Sequence, residues 1–303
     1  MEAFAASVLV AATPFLFAGL GELVAERTGV LNLGVEGMML VGAVAAFAVT
    51  LTTGSPYLGV MAGALAGMAL AAIFVLVSVL MLANQAATGL ALTIFGIGAS
   101  GLFGQGYVGE TVVPPEKIFI PGLSSAGAPG RILFGQDPLV YAALALAVLL
   151  FVMLRFTRLG LWLRAVGDSP EAAHAMGLPV ILIRSLAVLF GGAMAGVAGA
   201  YLSLAYTPMW GENMTAGRGW IAVALVVFAT WKPERLVLGA FLFAAFTQLQ
   251  FYGQNVGLPV PSQALAAVPY LATIAALVLI SVNPAIARAN APASIGRAFY
   301  ASR

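Results

Sequence analysis

Nine segments of this sequence are each long and apolar enough to cross a lipid bilayer as a helix, which takes about 20 mostly apolar residues. They lack the polar–apolar alternation of barrel strands, so they predict helices. Only 8% of the 303 residues are charged, whereas a soluble domain carries about 25%, and lipid must therefore cover most of the surface. The sequence predicts one all-α polytopic transmembrane domain over residues 1–303. Its predicted helices are 4–24, 33–53, 58–82, 88–108, 138–155, 183–204, 217–231, 236–254 and 265–282.

The basic residues of the connections lie mainly on one side of the predicted bundle. Of the 13 lysines and arginines, all except Lys117, Arg131 and Arg218 fall at helix ends or in connections that share that side. Because basic residues concentrate in cytoplasmic connections, we expect the N-terminus outside and the C-terminus in the cytoplasm. Glu2 stands where a signal peptide would be basic, so we expect the first helix to be retained.

Two helix starts resemble each other from opposite membrane faces. The second predicted helix opens with LNLGVEGMMLVGA and the seventh with MTAGRGWIAVALV. If helices 1–4 and 6–9 form an inverted repeat, these starts occupy corresponding positions. Polar, Gly-interrupted segments in matching positions of two halves point to a transport pathway, although chance similarity between Gly- and Ala-rich helices is the alternative.

No motif for catalysis or cofactor binding is present. The GIGASG stretch at 96–101 has the spacing of a dinucleotide-binding loop but lies inside a predicted membrane helix, so we interpret it as a close helix contact. Glycines spaced by four have the same interpretation; they are Gly59, Gly63, Gly67, Gly192 and Gly196. There is no P-loop for ATP, no cysteine and one histidine. We expect no enzyme activity, catalytic residue, metal or cofactor, and the basic residues form no continuous face for nucleic acid.

The connection 156–182 contains a short predicted helix of its own. Asp168 and Ser169 are candidate N-caps before Pro170, a favoured first helical residue, and Gly177 ends the helix. Such a helix either lies on the lipid interface or docks into a groove on a cytosolic partner. Composition alone favours the interface.

Four stretches, in order along nearly the whole chain, resemble one protein family. They are ERTGVLNLGVEGMMLVGA (26–43), ANQAATGLALTIFG (83–96), RAVGDSPEAAHAMG (164–177) and TAGRGWIAVALVVF (215–228). Together they resemble permease subunits of ABC importers in the branched-chain amino acid and ribose-type permease family, most of all its nucleoside branch. The resemblance implies the type II ABC importer permease fold with an inverted repeat, in the bacterial plasma (inner) membrane. It also implies three partners: a second, often non-identical permease subunit, ABC ATPase subunits and an extracytoplasmic substrate-binding protein.

The resemblance further implies that the connection 156–182 couples the permease to its ATPases. The residues that carry over as coupling residues are Arg164, Gly167, Asp168, Pro170, Glu171, Ala172, Ala173 and Gly177.

A nucleoside combines a flat base with ribose hydroxyls, so its path calls for amide, carboxylate and aromatic side chains with few fixed charges. The candidate pathway residues are Asn32, Glu36, Asn84, Gln85, Thr88, Trp210, Glu212, Asn213, Arg218 and Trp220. Glu36 stands in the first turn of its predicted helix, where a negative charge is favourable. A structural role, as a helix cap or a pairing partner within the fold, is therefore open for Glu36 and also for Arg218 beside a role in the pathway.

The expected function is thus that of a transmembrane permease subunit in an ATP-driven importer of nucleosides. Import of simple sugars or another small solute by the same machinery is the alternative within this class. A stand-alone secondary transporter is the alternative from another class, although it would need no cytosolic docking helix.

Overall fold

A computed structural model of the chain describes residues 2–119 and 127–255, single positions between 261 and 275, and residues 290–300. Across these residues the regular structure is helical, with two isolated β-bridges. Two of the helices, Pro56–Phe74 and Val180–Tyr201, end in a wider π-helical turn, Val75–Leu80 and Leu202–Tyr206 respectively. The helices are α1 (Glu2–Arg27), α2 (Val35–Thr53), α3 (Pro56–Phe74), α4 (Gln85–Gly104), α5 (Gly127–Phe134), α6 (Pro138–Phe156), α7 (Arg158–Asp168), α8 (Pro170–Ala175), α9 (Val180–Tyr201), α10 (Arg218–Phe228) and α11 (Pro233–Asn255).

Seven helices within the described residues are long and apolar enough to cross a membrane. They are α1, α2, α3, α4, α6, α9 and α11, and each overlaps a segment predicted from the sequence. The predicted segment 217–231 contains a shorter apolar helix, α10, of 11 residues. The predicted segment 265–282 lies largely outside the described residues. The chain is therefore an all-helical, multi-pass membrane protein, and the ninth span stays a prediction.

Two helices were not expected from the sequence. Helix α5 lies in the connection 109–137, and α7 precedes the short helix predicted in the connection 156–182. Both have 11 residues or fewer, so neither has the length by which a membrane span is recognised. The Thr157 hydroxyl accepts the Gly160 N–H (3.3 Å) and caps the start of α7.

Glycine residues set the distance between the central helices. Helices α2, α3 and α9 approach so closely that a methyl group on Gly196 would overlap the carbonyl oxygen of Gly63, and one on Gly42 would lie 2.5 Å from the Cα of Gly196. Helices in lipid gain little from hydrophobic burial against each other, so close backbone packing must supply the association. The four-residue glycine spacing noted in α3 and α9 supplies that packing.

The two ends of the bundle differ in charge. Arg27, Arg155, Arg164 and Lys232 line one cleft at the end where α1 finishes, and Arg184 donates to the nearby Thr28 carbonyl (3.0 Å). We call this the basic end. At the opposite end, the ring of Phe4 packs edge-on against that of Tyr252, with centroids 6.1 Å apart. Within the described residues, these five of the ten basic residues that the sequence placed on one side lie at one end.

The variant Gly196→Ala should destabilise the protein, whereas Gly98→Ala should not. A methyl group at position 196 would overlap backbone of α3, while at position 98 it meets nothing within 4 Å. Overpacking should lower the free energy of unfolding by about 1–3 kcal/mol. Gly98→Ala should be neutral or stabilising by up to about 1 kcal/mol, because alanine is the better helix former. Thermal unfolding of both variants in detergent measures this; equal midpoints would contradict the packing assigned here.

Candidate functional site

Residues 28–34 form a non-helical break between α1 and α2, and its backbone is satisfied by side chains. The Asn32 backbone N–H donates to Glu22 Oε1 (3.1 Å), and the side-chain Oδ1 of Asn32 accepts the Gly34 N–H (2.9 Å). Asn32 is only 1% exposed. Non-helical backbone inside a membrane protein is tolerated only where such partners exist, so Asn32 is required by the break itself.

Helix α4 holds the other side of the break. Gln85 Oε1 accepts the Leu31 N–H (2.8 Å), and the Thr93 hydroxyl donates to the Leu33 carbonyl (2.9 Å). Gln85 and Thr93 are eight positions apart, which is about 12 Å along a helix. The break therefore rises along α4 from the basic end into the interior of the bundle.

Glu36, in the first turn of α2, binds the start of α10. Its Oε1 accepts the Thr215 hydroxyl (2.6 Å) and the Gly217 N–H (2.8 Å), and its Oε2 accepts the Gly219 N–H (2.6 Å). A carboxylate at a helix N-terminus satisfies unpaired N–H groups and interacts favourably with the helix dipole. The contacts of Glu36 are those of a helix cap, and the helix that it caps is α10.

The start of α10 lies deep in the bundle. Its 11 residues extend about 16 Å, which is about half of the ~30 Å hydrocarbon thickness of a bilayer, and its far end lies beside Trp231 at the basic end. The two sequence stretches that resemble each other, around Glu36 and around Gly217, thus meet in the interior. A methyl group on Gly219 would lie 2.6 Å from the Cα of Glu36, so only glycine permits this approach.

Other predicted pathway residues have structural contacts elsewhere. Asn84 caps α4 by accepting the Ala87 N–H (2.9 Å), and the Thr88 hydroxyl donates to the Asn84 carbonyl (2.9 Å). Gln85 also donates weakly to the Arg297 carbonyl (3.4 Å). Trp210 is buried against Gly104 at the opposite end of α4. These four side chains do not share one site with Glu36.

Three predicted pathway residues in and just before the first turn of α10 are exposed. Glu212, Asn213 and Trp220 are all exposed, and Glu212 faces Gly101 of α4. Asn213 adopts a left-handed backbone conformation, with φ of +54°, which asparagine tolerates better than most residues. Their exposed side chains offer a carboxylate, an amide and an indole.

Arg218 lies on a different side of α10. Its guanidinium donates to the Met214 carbonyl (3.1 Å) and stands 5.5 Å from the centre of the Tyr206 ring. Together with Thr247 and Gln250 it lines a cleft of about 260 Å³ between α1, α10 and α11. The cleft offers hydroxyl, amide and guanidinium groups beside aromatic rings.

Several residues of this region were not predicted from the sequence. Thr215, Gly217 and Gly219 form the cap site for Glu36, while Glu22 and Thr93 support the break. The signal for the first three was the TAGRG stretch just before an apolar run, whose glycines mark a tight approach of backbone. Glu22 and Thr93 carry no local signal, because their partners are backbone atoms that only the fold brings near.

The short helix predicted in the connection 156–182 is present as α8. Ser169 caps it by accepting the Ala172 N–H (3.3 Å), Pro170 occupies its first turn, and Gly177 follows it with φ of +85°. Pro170 and Ala173 are buried, whereas Glu171, Ala172 and Asp168 are exposed. Gly167 packs against the Arg27 carbonyl oxygen, and Arg164 Nε donates to the Gly160 carbonyl (3.2 Å). Of the eight predicted coupling residues, three are buried and hold the connection in place, four are exposed and Arg164 is half-buried. The buried ones are Gly167, Pro170 and Ala173, and the exposed ones are Asp168, Glu171, Ala172 and Gly177.

Residues 290–300, which we call the C-terminal segment, tie this loop to the break. The Ser294 hydroxyl and N–H both donate to the Gly167 carbonyl (2.7 and 3.0 Å), and Phe299 packs with Val166, Ala173 and Val180. The Gly296 N–H donates to the Gly29 carbonyl (3.0 Å). The segment thus contacts both the connection 156–182 and the break, a link that the sequence did not suggest.

The family model described as "Branched-chain amino acid transport system / permease component" matches residues 4–282. The chain is 45% identical to the putative glucose ABC transporter permease protein TsgC13 of Haloferax volcanii, over 88% of both chains. It is 33% identical to the guanosine ABC transporter permease protein NupQ of Bacillus subtilis, covering 96% of this chain and 94% of the relative. Identity to the nucleoside ABC transporter permease protein NupC of Lactococcus lactis is 32%, over 92% of both. No solved structure matches the chain significantly.

Two of these organisms contain a second relative. Haloferax volcanii has the glucose ABC transporter permease protein TsgB13, at 25% identity over 78% of this chain and 66% of the relative. Bacillus subtilis has the guanosine ABC transporter permease protein NupP, at 28% identity over 71% and 64%. In each organism the chain is thus more similar to one relative than to the other.

Replacing Glu36 by glutamine should loosen the start of α10. The amide keeps one acceptor oxygen but turns an NH₂ group toward backbone donors, so at least one charge-assisted hydrogen bond is lost, at about 1.5–3 kcal/mol. We expect the free energy of unfolding in mixed micelles to fall by about 2 kcal/mol or more. Glu212→Gln removes the same charge from an exposed side chain and should change it by about 0.5 kcal/mol at most. Similar stability of the two variants would show that the cap is not needed.

Proposed function

We propose that this chain, which belongs to the family of branched-chain amino acid transport system permease components, is the membrane subunit of an ATP-driven importer of nucleosides. The full-length similarity to permeases that are named for nucleosides and guanosine, at 32% and 33% identity, is the observation that carries the proposal. The motif LNLGVEGMM at the start of α2, which contains Asn32 of the break and the Glu36 cap, would lie at the centre of the proposed transport domain.

A simple sugar is the second candidate solute, and one observation favours it. The relative at 45% identity is named as a putative glucose permease. Nucleosides and sugars share an uncharged ring that carries several hydroxyls, so one arrangement of amide, carboxylate and aromatic groups suits both. The stand-alone secondary transporter has no such support, because these relatives are named as ABC transporter permeases.

We propose that the importer also contains a second, non-identical permease. The two pairs of relatives support this, because in each organism the relatives of a pair are named for the same solute. Since the sequence carries no P-loop, ATP hydrolysis would occur on separate ABC ATPase subunits. An extracytoplasmic substrate-binding protein would deliver the solute. The ATPase and the substrate-binding protein are expected because this family of permeases implies them.

The basic end would face the cytoplasm of the cell, with the N-terminus outside, in the plasma membrane. The gathering of basic residues at one end supports this orientation. Helix α11 finishes at the end where Tyr252 meets Phe4, whereas Asn290 accepts a hydrogen bond from Arg27 (3.1 Å) at the basic end. These positions at opposite ends support the ninth span that is expected at 265–282.

The path for the solute would run past the exposed side chains of Glu212, Asn213 and Trp220. The second permease would form the other wall of this path. Arg218 and its cleft would line the path from within this chain. Asn32, Glu36 and Gln85 would act as the support that keeps the two interrupted helices in place, and Asn84, Thr88 and Trp210 would hold α4 beside them. Solute affinity would then depend on the exposed pathway residues, and the stability of the protein on the buried supporting residues.

Movement of the ATPases would reach the path through α8. The exposed side of α8, with Glu171 and Ala172, would dock on an ATPase subunit. Its buried side contacts Phe299, and the C-terminal segment would pass a displacement to the break and so to Glu36 and α10. A rigid link of this kind suits a switch between inward- and outward-facing states.

Uptake by the complete reconstituted complex tests the proposed solute. In proteoliposomes with ATP inside, labelled guanosine or uridine should accumulate, and unlabelled nucleosides should compete while ribose and glucose should not. Glucose uptake without nucleoside uptake would replace the first candidate by the second. Accumulation that follows an ion gradient and persists without ATP would contradict both.

Introducing a bulky side chain on the exposed face of α8 tests the coupling role. Ala172→Trp should lower solute-stimulated ATP hydrolysis and uptake by the complex at least about tenfold, because a close-fitting contact tolerates little added volume. Ala87→Trp is the matched control, since Ala87 is also exposed at the basic end but belongs to α4, and it should retain most activity. Loss of uptake in both, or in neither, would argue against a docking role for α8.

A further inference from the structure

A second cleft, of about 260 Å³, opens at the basic end between the last turn of α6 and the first turn of α11. It is not part of the break or of the coupling helix. Its charged lining consists of Arg27, Arg155, Arg164, Lys232 and Glu234. Four cations thus face one carboxylate among the described residues, and Asp168 adds a more distant negative charge near Arg27.

The cations of this cleft have few anionic partners. Arg27 is engaged by backbone, donating to the carbonyls of Trp231 (2.6 and 2.9 Å) and Asn290 (3.1 Å). Arg155 stacks on the rings of Phe151 and Phe156, at 5.7 and 5.6 Å from their centres. Within the described part of the chain, no ion pair joins any of the four cations to a carboxylate. The cleft therefore attracts an anion.

The walls of the cleft are apolar and continue into the exposed side of α6. Phe151, Leu154 and Trp231 line the cleft, and nearby Val152 and Phe156 are 43% and 70% exposed. The guanidinium of Arg155 lies where this apolar surface ends, as expected of a side chain at the lipid–water boundary. A free inorganic anion would make no use of the apolar wall, whereas a lipid would fill both parts.

We propose that this cleft binds an anionic phospholipid. The phosphate lies among Arg155, Arg164 and Lys232, and an acyl chain runs along Phe151 and Leu154. Basic pockets between membrane helices at the cytoplasmic side are suited to such headgroups. The bound lipid would connect α6 and α7 to the start of α11.

Lipid titration followed by native mass spectrometry tests this on the delipidated complex. Dioleoyl-phosphatidylglycerol should bind at least about tenfold more tightly than dioleoyl-phosphatidylcholine, which has the same chains but no net charge. The double variant Arg155→Gln/Arg164→Gln should lose about 30-fold in phosphatidylglycerol affinity, since each basic residue near an anionic headgroup contributes about fivefold (~1 kcal/mol).

Arg158→Gln is the matched control, because Arg158 is on α7 but outside the cleft, and it should change affinity less than about twofold. An unchanged thermal midpoint in phosphatidylcholine would show that the double variant folds. Equal binding of the two lipids, or an equal loss in Arg158→Gln, would overturn the proposal. Displacement by excess glycerol 3-phosphate would assign the cleft to a soluble phosphate instead. Loss of the ATPase subunits from the double variant with unchanged lipid binding would make it a protein interface.

Discussion

The carboxylate of Glu36, bound to the start of α10, is the contact on which the interior of this protein depends. Two helices begin inside the bundle, and in lipid each unpaired backbone group costs several kcal/mol. Glu36 supplies acceptors for the N–H groups of Gly217 and Gly219 (2.8 and 2.6 Å). Glu36 also lies in the first turn of α2, so a single side chain joins the starts of α2 and α10 and supplies the hydrogen-bond acceptors that this buried polar segment needs.

The C-terminal segment contacts both the break at 28–34 and the connection 156–182. Ser294 binds Gly167 on the loop side (2.7 Å), and Gly296 binds Gly29 on the side of the break (3.0 Å). In both contacts the acceptor is a backbone carbonyl, and the donor comes from a segment distant in the chain. The C-terminal segment therefore connects α8, through Phe299, with the break by direct contacts.

The arginines of the basic end divide by burial. Arg184 is only 2% exposed and donates to two backbone carbonyls and to Ser294, 3.0–3.1 Å away, which compensates the cost of removing it from water. Arg155 is exposed and rests on aromatic rings. Guanidinium groups thus have two kinds of surroundings at one end: the buried Arg184 joins segments by hydrogen bonds, and the exposed Arg155 packs on aromatic rings.

The sequence by itself determined the membrane class, the position of seven long helices, the short capped helix α8 and the glycine contacts of α3 and α9, because these follow from local composition, capping and spacing. It also singled out Glu36 and the TAGRG stretch, but not that they bind each other. Only the tertiary structure decided that contact and the roles of Glu22 and Thr93. It also decided the contacts of the C-terminal segment with Gly167 and Gly29, and the separation of Asn84 and Thr88 from the exposed Glu212 and Asn213. The reason is physical: a buried backbone group in a membrane protein needs a partner, and residues up to 263 positions apart, as for Arg27 and Asn290, supply it once the helices have packed.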